Sequence, residues 1–260
     1  MLTPIAVVIG SIIIAGAIWY TDDDPEAAAP SVAAAISTAP PAAPDTAPPV
    51  STVQDIRTAL VGYAKQTGVD EAKFQQCLGD QANVAVINAQ FQRGAALGIN
   101  GTPTFLINNK KLVGAQPAAI FDEIVSAELK GSPASLEGYS PAVQALAAAQ
   151  PPLFEIMPSK PDVSDAAIEG SANARVMIAE FSDFQCPFCK RWSDENMKRL
   201  RTQTGNDVAI AFLHFPIGQI HPNAGNASLA AVCAGEQGKF WQMHDILFAR
   251  QSEWANLRAN

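Results

Sequence analysis

The 260-residue chain carries only four cysteines and three histidines, and it holds no second Cys-X-X-Cys and no His-X3-His beside the pair at Cys186 and Cys189. A structural zinc ion takes four Cys or His ligands, so that pair alone leaves a zinc site two ligands short. Basic residues are also few: 17 Lys and Arg stand against 25 Asp and Glu, for a net charge of −8. That balance argues against a nucleic-acid partner and is neutral about a protein one. No Lys or Arg precedes the first apolar run, Pro4 to Tyr20. A cleaved signal peptide opens on a basic stretch, so its absence favours an anchor. No internal repeat and no second core is evident.

What is present centres on Cys186-Pro187-Phe188-Cys189. The run Ala174 to Ser182 reads as a buried strand, and Lys190 to Leu200 reads as a helix. Cys186 is thus expected at a helix N-terminus, where free backbone N–H groups and the helix dipole favour a thiolate. Pro187 fits an early helical position, where its missing N–H costs least. Cys189 falls one turn on, placed to resolve a mixed disulfide. Half of a zinc site, or two unrelated buried cysteines, are the other readings of the pair; the strand-turn-helix context favours redox chemistry. A second segment, Gly98 to Asn108, places Thr102-Pro103 ahead of an apolar β-prone run, followed by a turn-like Asn108 to Lys111. A proline there cannot extend a ladder through its own N–H, and Thr102-Pro103 is a candidate cis peptide.

Four stretches together, Glu180 to Cys189, Cys233 to Asp245, Phe74 to Leu78 and Gly98 to Phe105, resemble the DsbA-like branch of the thioredoxin superfamily, the extracytoplasmic thiol–disulfide oxidoreductases. The resemblance implies an α/β thioredoxin-like fold with an inserted helical subdomain. It gives Cys186 the nucleophile's role and Cys189 the resolving one. Thr102 and Pro103, with Pro187 and Phe188 between the cysteines, would meet the substrate. Glu180 matches a buried acidic residue thought to assist proton transfer, against the plainer reading of a strand-end carboxylate. Family members that carry both Cys77 and Cys233 can bridge them; otherwise the two are small buried hydrophobes. No cofactor beyond the redox-active disulfide is implied.

The order of the segments departs from the family. The part that should come last, residues 53–130, precedes the part that should come first, residues 162–260, as in a circular permutation cut inside the helical insertion. Residues 131–161 would then be the linker. A flexible linker of that length spans about 30 Å, enough to close one chain on itself. A domain-swapped homodimer and a truncated tandem fragment are the alternatives.

Ahead of these lie residues 1–21, read as a transmembrane anchor with Asp22-Asp-Asp24 outside, or else a signal segment with Ala15-Gly-Ala17 as its cleavage site. Residues 22–52 are an Ala/Pro-rich spacer unable to bury a core. In the second linker, Pro141 to Gln150 suits a short helix between proline breaks. His214, His221 and His244 each read as structural, and Phe240, Trp241, Met243, Ile246, Leu247 and Phe248 as core of the helical insertion. The expected protein is a membrane-tethered oxidase, its domain periplasmic or at the cell surface. It would act on reduced or unfolded exported proteins and be reoxidised by a membrane quinone-linked partner. A reductase or isomerase is the near alternative, and a non-catalytic scaffold follows if the proline loop never reaches Cys186.

Overall fold

A computed structural model describes residues 55–258, residues 204 and 206 excepted. The anchor expected at residues 1–21 and the spacer at residues 22–52 lie outside the described residues. Among those described, no helix is long and apolar enough to cross a membrane.

Three helices come first, each started by an aspartate whose carboxylate accepts a first-turn N–H. Asp55 accepts from Thr58 ahead of α1 (Ile56–Gln66), Asp70 from Lys73 ahead of α2 (Glu71–Cys77), and Asp80 from Ala82 ahead of α3 (Gln81–Ala96). These caps satisfy N–H groups that the helix itself leaves open. Ile56, Ala59, Leu60, Tyr63 and Ala64 recur at helical spacing and form the buried stripe of α1. Then come β1 (Thr104–Ile107), β2 (Lys110–Val113) and α4 (Ala118–Lys130), followed by α5 (Pro141–Ala148) and β3 (Phe154–Ile156). The cysteine half contributes β4 (Ala167–Glu169), β5 (Val176–Ser182), α6 (Pro187–Trp192), α7 (Lys198–Arg201), β6 (Val208–His214), α8 (Ala224–Gly235), α9 (Phe240–Ala249) and α10 (Gln251–Trp254). A π-helical turn, Ser193–Met197, joins α6 to α7.

One six-stranded sheet holds both halves, in the order β3-β2-β1-β5-β6-β4. The two halves meet at the β1–β5 pair, which is antiparallel, whereas β5 and β6 run parallel. The sheet is therefore completed within one chain. Central strand β5 is buried on both faces, which is why it reads as a nearly continuous apolar run. Its Val176, Ile178, Glu180 and Ser182 share one face, with Phe105 beside Glu180 on β1 and Phe212 beside it on β6. The opposite face carries Ala179 and Phe181, under α3. Gly94 permits that approach, since a Cβ there would lie 2.8 Å from the Phe215 ring.

Residues 131–161 are not the free tether expected of them. Ser140 caps α5 and donates its N–H and hydroxyl to Glu123 at 2.6 and 2.7 Å, and β3 adds a strand beyond β2. Tyr139, Val143 and Phe154 bury their side chains against Phe121 and Ile124 of α4. Removing those apolar groups from water docks the segment where a polar linker would stay loose. The expected helix at residues 141–150 is present as α5. The turn-like reading of Asn108 to Lys111 needs correction: only Asn108 and Asn109 turn, and Lys110 and Lys111 open β2. Lys110 is buried because its ammonium meets the buried Glu128 carboxylate at 3.0 Å, a partner 18 residues away that no local pattern reveals.

Candidate active site

Cys186 is the N-cap of α6, with extended backbone, and Pro187 follows in the first helical turn. The turn is braced on every side. Asp183 accepts hydrogen bonds from the backbone N–H of Gln185 at 2.8 Å and of Ile217 at 2.9 Å, and its carboxylate lies 2.7 Å from His221 Nδ1. Gln185 donates to the Ala255 carbonyl and accepts from the Asn223 N–H, both at 2.7 Å. Gln251 donates to the carbonyls of Phe184 at 2.7 Å and Cys186 at 3.0 Å. These buried bonds leave the loop few alternatives, so the cysteines sit in a fixed geometry.

Thr102-Pro103 is a cis peptide, and it comes to the pair: the Cys186 thiol donates to the Thr102 carbonyl at 3.4 Å. The proline loop thus reaches Cys186, which removes the geometric ground for the scaffold reading. Cys186 ionises readily, its pKa lowered to about 6. The hydrogen bond from Cys189 is the largest cause; burial opposes it, and the Thr102 side chain and the N–H groups of Cys189 and Phe188 assist. Thr102 therefore serves both forms. Its carbonyl accepts from the thiol, and its hydroxyl, without a partner in the thiol form, favours the thiolate. Cys189 behaves oppositely: complete burial pushes its pKa well above the ordinary thiol value, and the neighbouring Cys186 sulfur pushes the same way. The attacking and resolving roles are separated by environment alone. Phe188, 55 % exposed, forms a rim beside the 4 % exposed Cys186, its ring 5.4 Å from the Arg191 guanidinium.

Glu180 lies on the face of β5 that α6 covers, between Phe105 and Phe212, and neither carboxyl oxygen has a hydrogen-bond partner. Burial pushes its pKa up to about 8, so the carboxyl is protonated near neutrality. It is no surface carboxylate at a strand end. His214 and His244 crowd Phe184, Phe212 and Phe240, and burial lowers both, His214 to about 3. His221 differs, because it orients Asp183 under the cysteine turn. Asp183, Gln185, Ser182 and Gln251 were not picked out from the sequence. The offset Asp183-x-x-Cys186 was the available signal, since a short acceptor before a helix start is a common way to fold such a turn.

Cys77 on α2 and Cys233 on α8 form a disulfide across 156 residues, tying the proline half to the cysteine half. Among the described residues, no cluster of His, Cys, Asp or Glu could hold a metal ion.

The DSBA-like thioredoxin domain family matches residues 50–126, and a second thioredoxin family matches residues 163–260. The chain is a DsbA-like member of the thioredoxin superfamily. Its domain is that of a thiol–disulfide oxidoreductase. Similar curated proteins include the Na(+)/H(+) antiporter NhaA 1 of Mycolicibacterium vanbaalenii, 35 % identical over 104 residues, which are 39 % of this chain and 16 % of that protein. NhaA 1 of Salinispora arenicola is 38 % identical over 86 residues, 33 % of this chain and 13 % of its own length. NhaA of Herminiimonas arsenicoxydans is 33 % identical over 88 residues, 32 % of this chain and 13 % of that protein. The DsbA-like chain thus spans 16 % or less of each of these relatives.

Proposed function

We propose that this DsbA-like protein is a membrane-tethered, extracytoplasmic oxidase that passes a Cys186–Cys189 disulfide to reduced exported proteins. The observation that carries this reading is the contrast between a readily ionised Cys186 against the cis-proline loop and a buried, proton-holding Cys189. A substrate thiolate attacks Cys186 Sγ, the Cys186–Cys189 bond breaks, and Cys189 leaves as a thiolate that takes up a proton. A second substrate thiolate then attacks the substrate sulfur of the mixed disulfide, and Cys186 departs as a thiolate. The substrate dithiol is oxidised and the pair is reduced. Low basicity makes Cys186 a good leaving group, which favours release of oxidised substrate. A reductase would use the same atoms in reverse.

Thr102, Pro103, Pro187 and Phe188 form the proposed substrate surface. Reoxidation falls to a membrane quinone-linked partner, and residues 1–21 to the role of anchor. The segment order is read as a permutation of the family's own, with one chain as the working unit in place of a swapped homodimer. Antiport belongs to the relatives' names, and the short shared stretch is no basis for carrying it here. Replacing Cys186 by Ser should abolish oxidation of a reduced two-cysteine peptide; activity unchanged from the parent would refute the reading.

A further inference from the structure

The oxidase cycle requires a proton at a place water does not reach. When the disulfide opens, Cys189 leaves as a thiolate, and Cys189 is completely buried. Glu180 holds a proton nearby, on the same face of β5. Between them in sequence and on that face is Ser182, fully buried, its hydroxyl without a hydrogen-bond partner. An unpaired buried hydroxyl opposes folding, so its persistence at this point calls for a reason. The hydroxyl lies close enough to favour the charged forms of both Glu180 and Cys189, though aligned with neither at rest. Across the strands, His214 of β6 stands beside Ser182, and the register of β1 continued by one residue brings Pro103 alongside its other edge.

We propose that the Ser182 hydroxyl relays the proton between the Glu180 carboxyl and Cys189 Sγ as the disulfide opens and closes. On opening, Ser182 gives its proton to the Cys189 thiolate and takes one from Glu180, leaving a carboxylate; on reoxidation the two transfers reverse. No electron passes through Ser182. The other titratable groups around it do not supply this proton. His214 and His244 are held neutral by burial, Asp183 is occupied by Ile217 and His221, and Cys186 is the group under attack. The inference rests on the oxidase reading but concerns only how Cys189 gains its proton.

The test is the rate at which glutathione reduces the disulfide form of the full chain, followed by thiol trapping across pH 5–9 in H2O, D2O and mixtures of the two. Ser182→Ala should slow reduction by about a hundredfold, the low end of proton-transfer assistance. It should also turn a curved proton inventory, two protons moving together, into a linear one. Ser182→Thr keeps the hydroxyl and should restore both rate and curvature. Glu180→Gln should match Ser182→Ala, and the double variant should be no slower than either. Melting curves distinguish loss of rate from loss of fold. Parent rate and a curved inventory in Ser182→Ala would overturn the relay while leaving the oxidase reading intact. If instead the parent pair did not exchange with glutathione at all, the oxidase reading itself would fall, and the relay with it.

Discussion

Ionisation of Cys186 should set how the redox potential depends on pH. With the Cys186 pKa near 6 and an ordinary thiol near 8.5, ionisation at pH 7 stabilises the reduced form by up to about 1.4 kcal/mol. Solvent screening of a partly accessible sulfur brings this to roughly 1 kcal/mol, or about 20 mV for a two-electron couple. The sign follows from the lowered value. The stabilisation is complete above the ordinary thiol pKa and is lost as pH falls through about 6. Reduction takes up two protons below that point and one above it, so the potential should fall by about 60 mV per pH unit at pH 4.5–5.5 and about 30 mV at pH 6.5–7.5. Equilibration with glutathione at each pH measures the slope. Thr102→Val removes the unpartnered hydroxyl but keeps the carbonyl, and the break should move up by about one pH unit. A single slope of about 60 mV through pH 7.5 would mean that Cys186 is not ionised there, and the electrostatic account would fail.

Glu180→Gln should stabilise the protein, because a carboxyl with a raised pKa opposes folding increasingly as pH climbs from about 4.3 to about 8. At pH 7 the gain should be about 3 kcal/mol by urea unfolding, shrinking to nothing near pH 4; equal gains at both pH values would refute the assignment. Converting both Cys77 and Cys233 to Ala should lower unfolding free energy by about 3 kcal/mol while leaving the Cys186 pKa in place, read from denaturant midpoints and thiolate absorbance. Lys110→Met should cost about 3–5 kcal/mol by stranding the buried Glu128 charge, and adding Glu128→Leu should recover most of it in the same unfolding assay.

Local chemistry carried the parts of this fold that were readable in advance. The strand before Cys186, the helix after it and the turn-making Pro103 each announce themselves through apolar runs and breakers within about ten residues. The Cys77–Cys233 link came from likeness to a family, as did the role of Glu180. What stayed hidden depends on residues distant in sequence. Asp183 matters because residues 217 and 221 return to it, and Lys110 can be buried because Glu128 of α4 meets its ammonium. The joining segment misled for a related reason. Its Ala and Pro content reads as linker, whereas four apolar residues, Tyr139, Val143, Leu146 and Phe154, are enough to dock it on α4.

The hydrogen bond from the Ile56 N–H to the Arg258 carbonyl, 3.1 Å long, has a consequence for how such a chain can be written in a gene. Residues 56 and 258 are thus neighbours in space although 202 residues apart in the chain. Joining residue 258 to residue 55 and reopening the backbone between β3 and β4 would keep nearly every contact and place the cysteine strand first. The difference in loop-closure free energy grows only with the logarithm of loop length. Two genes encoding residues 55–258 in these two orders would therefore give domains of similar stability, and segment order would be under little thermodynamic constraint.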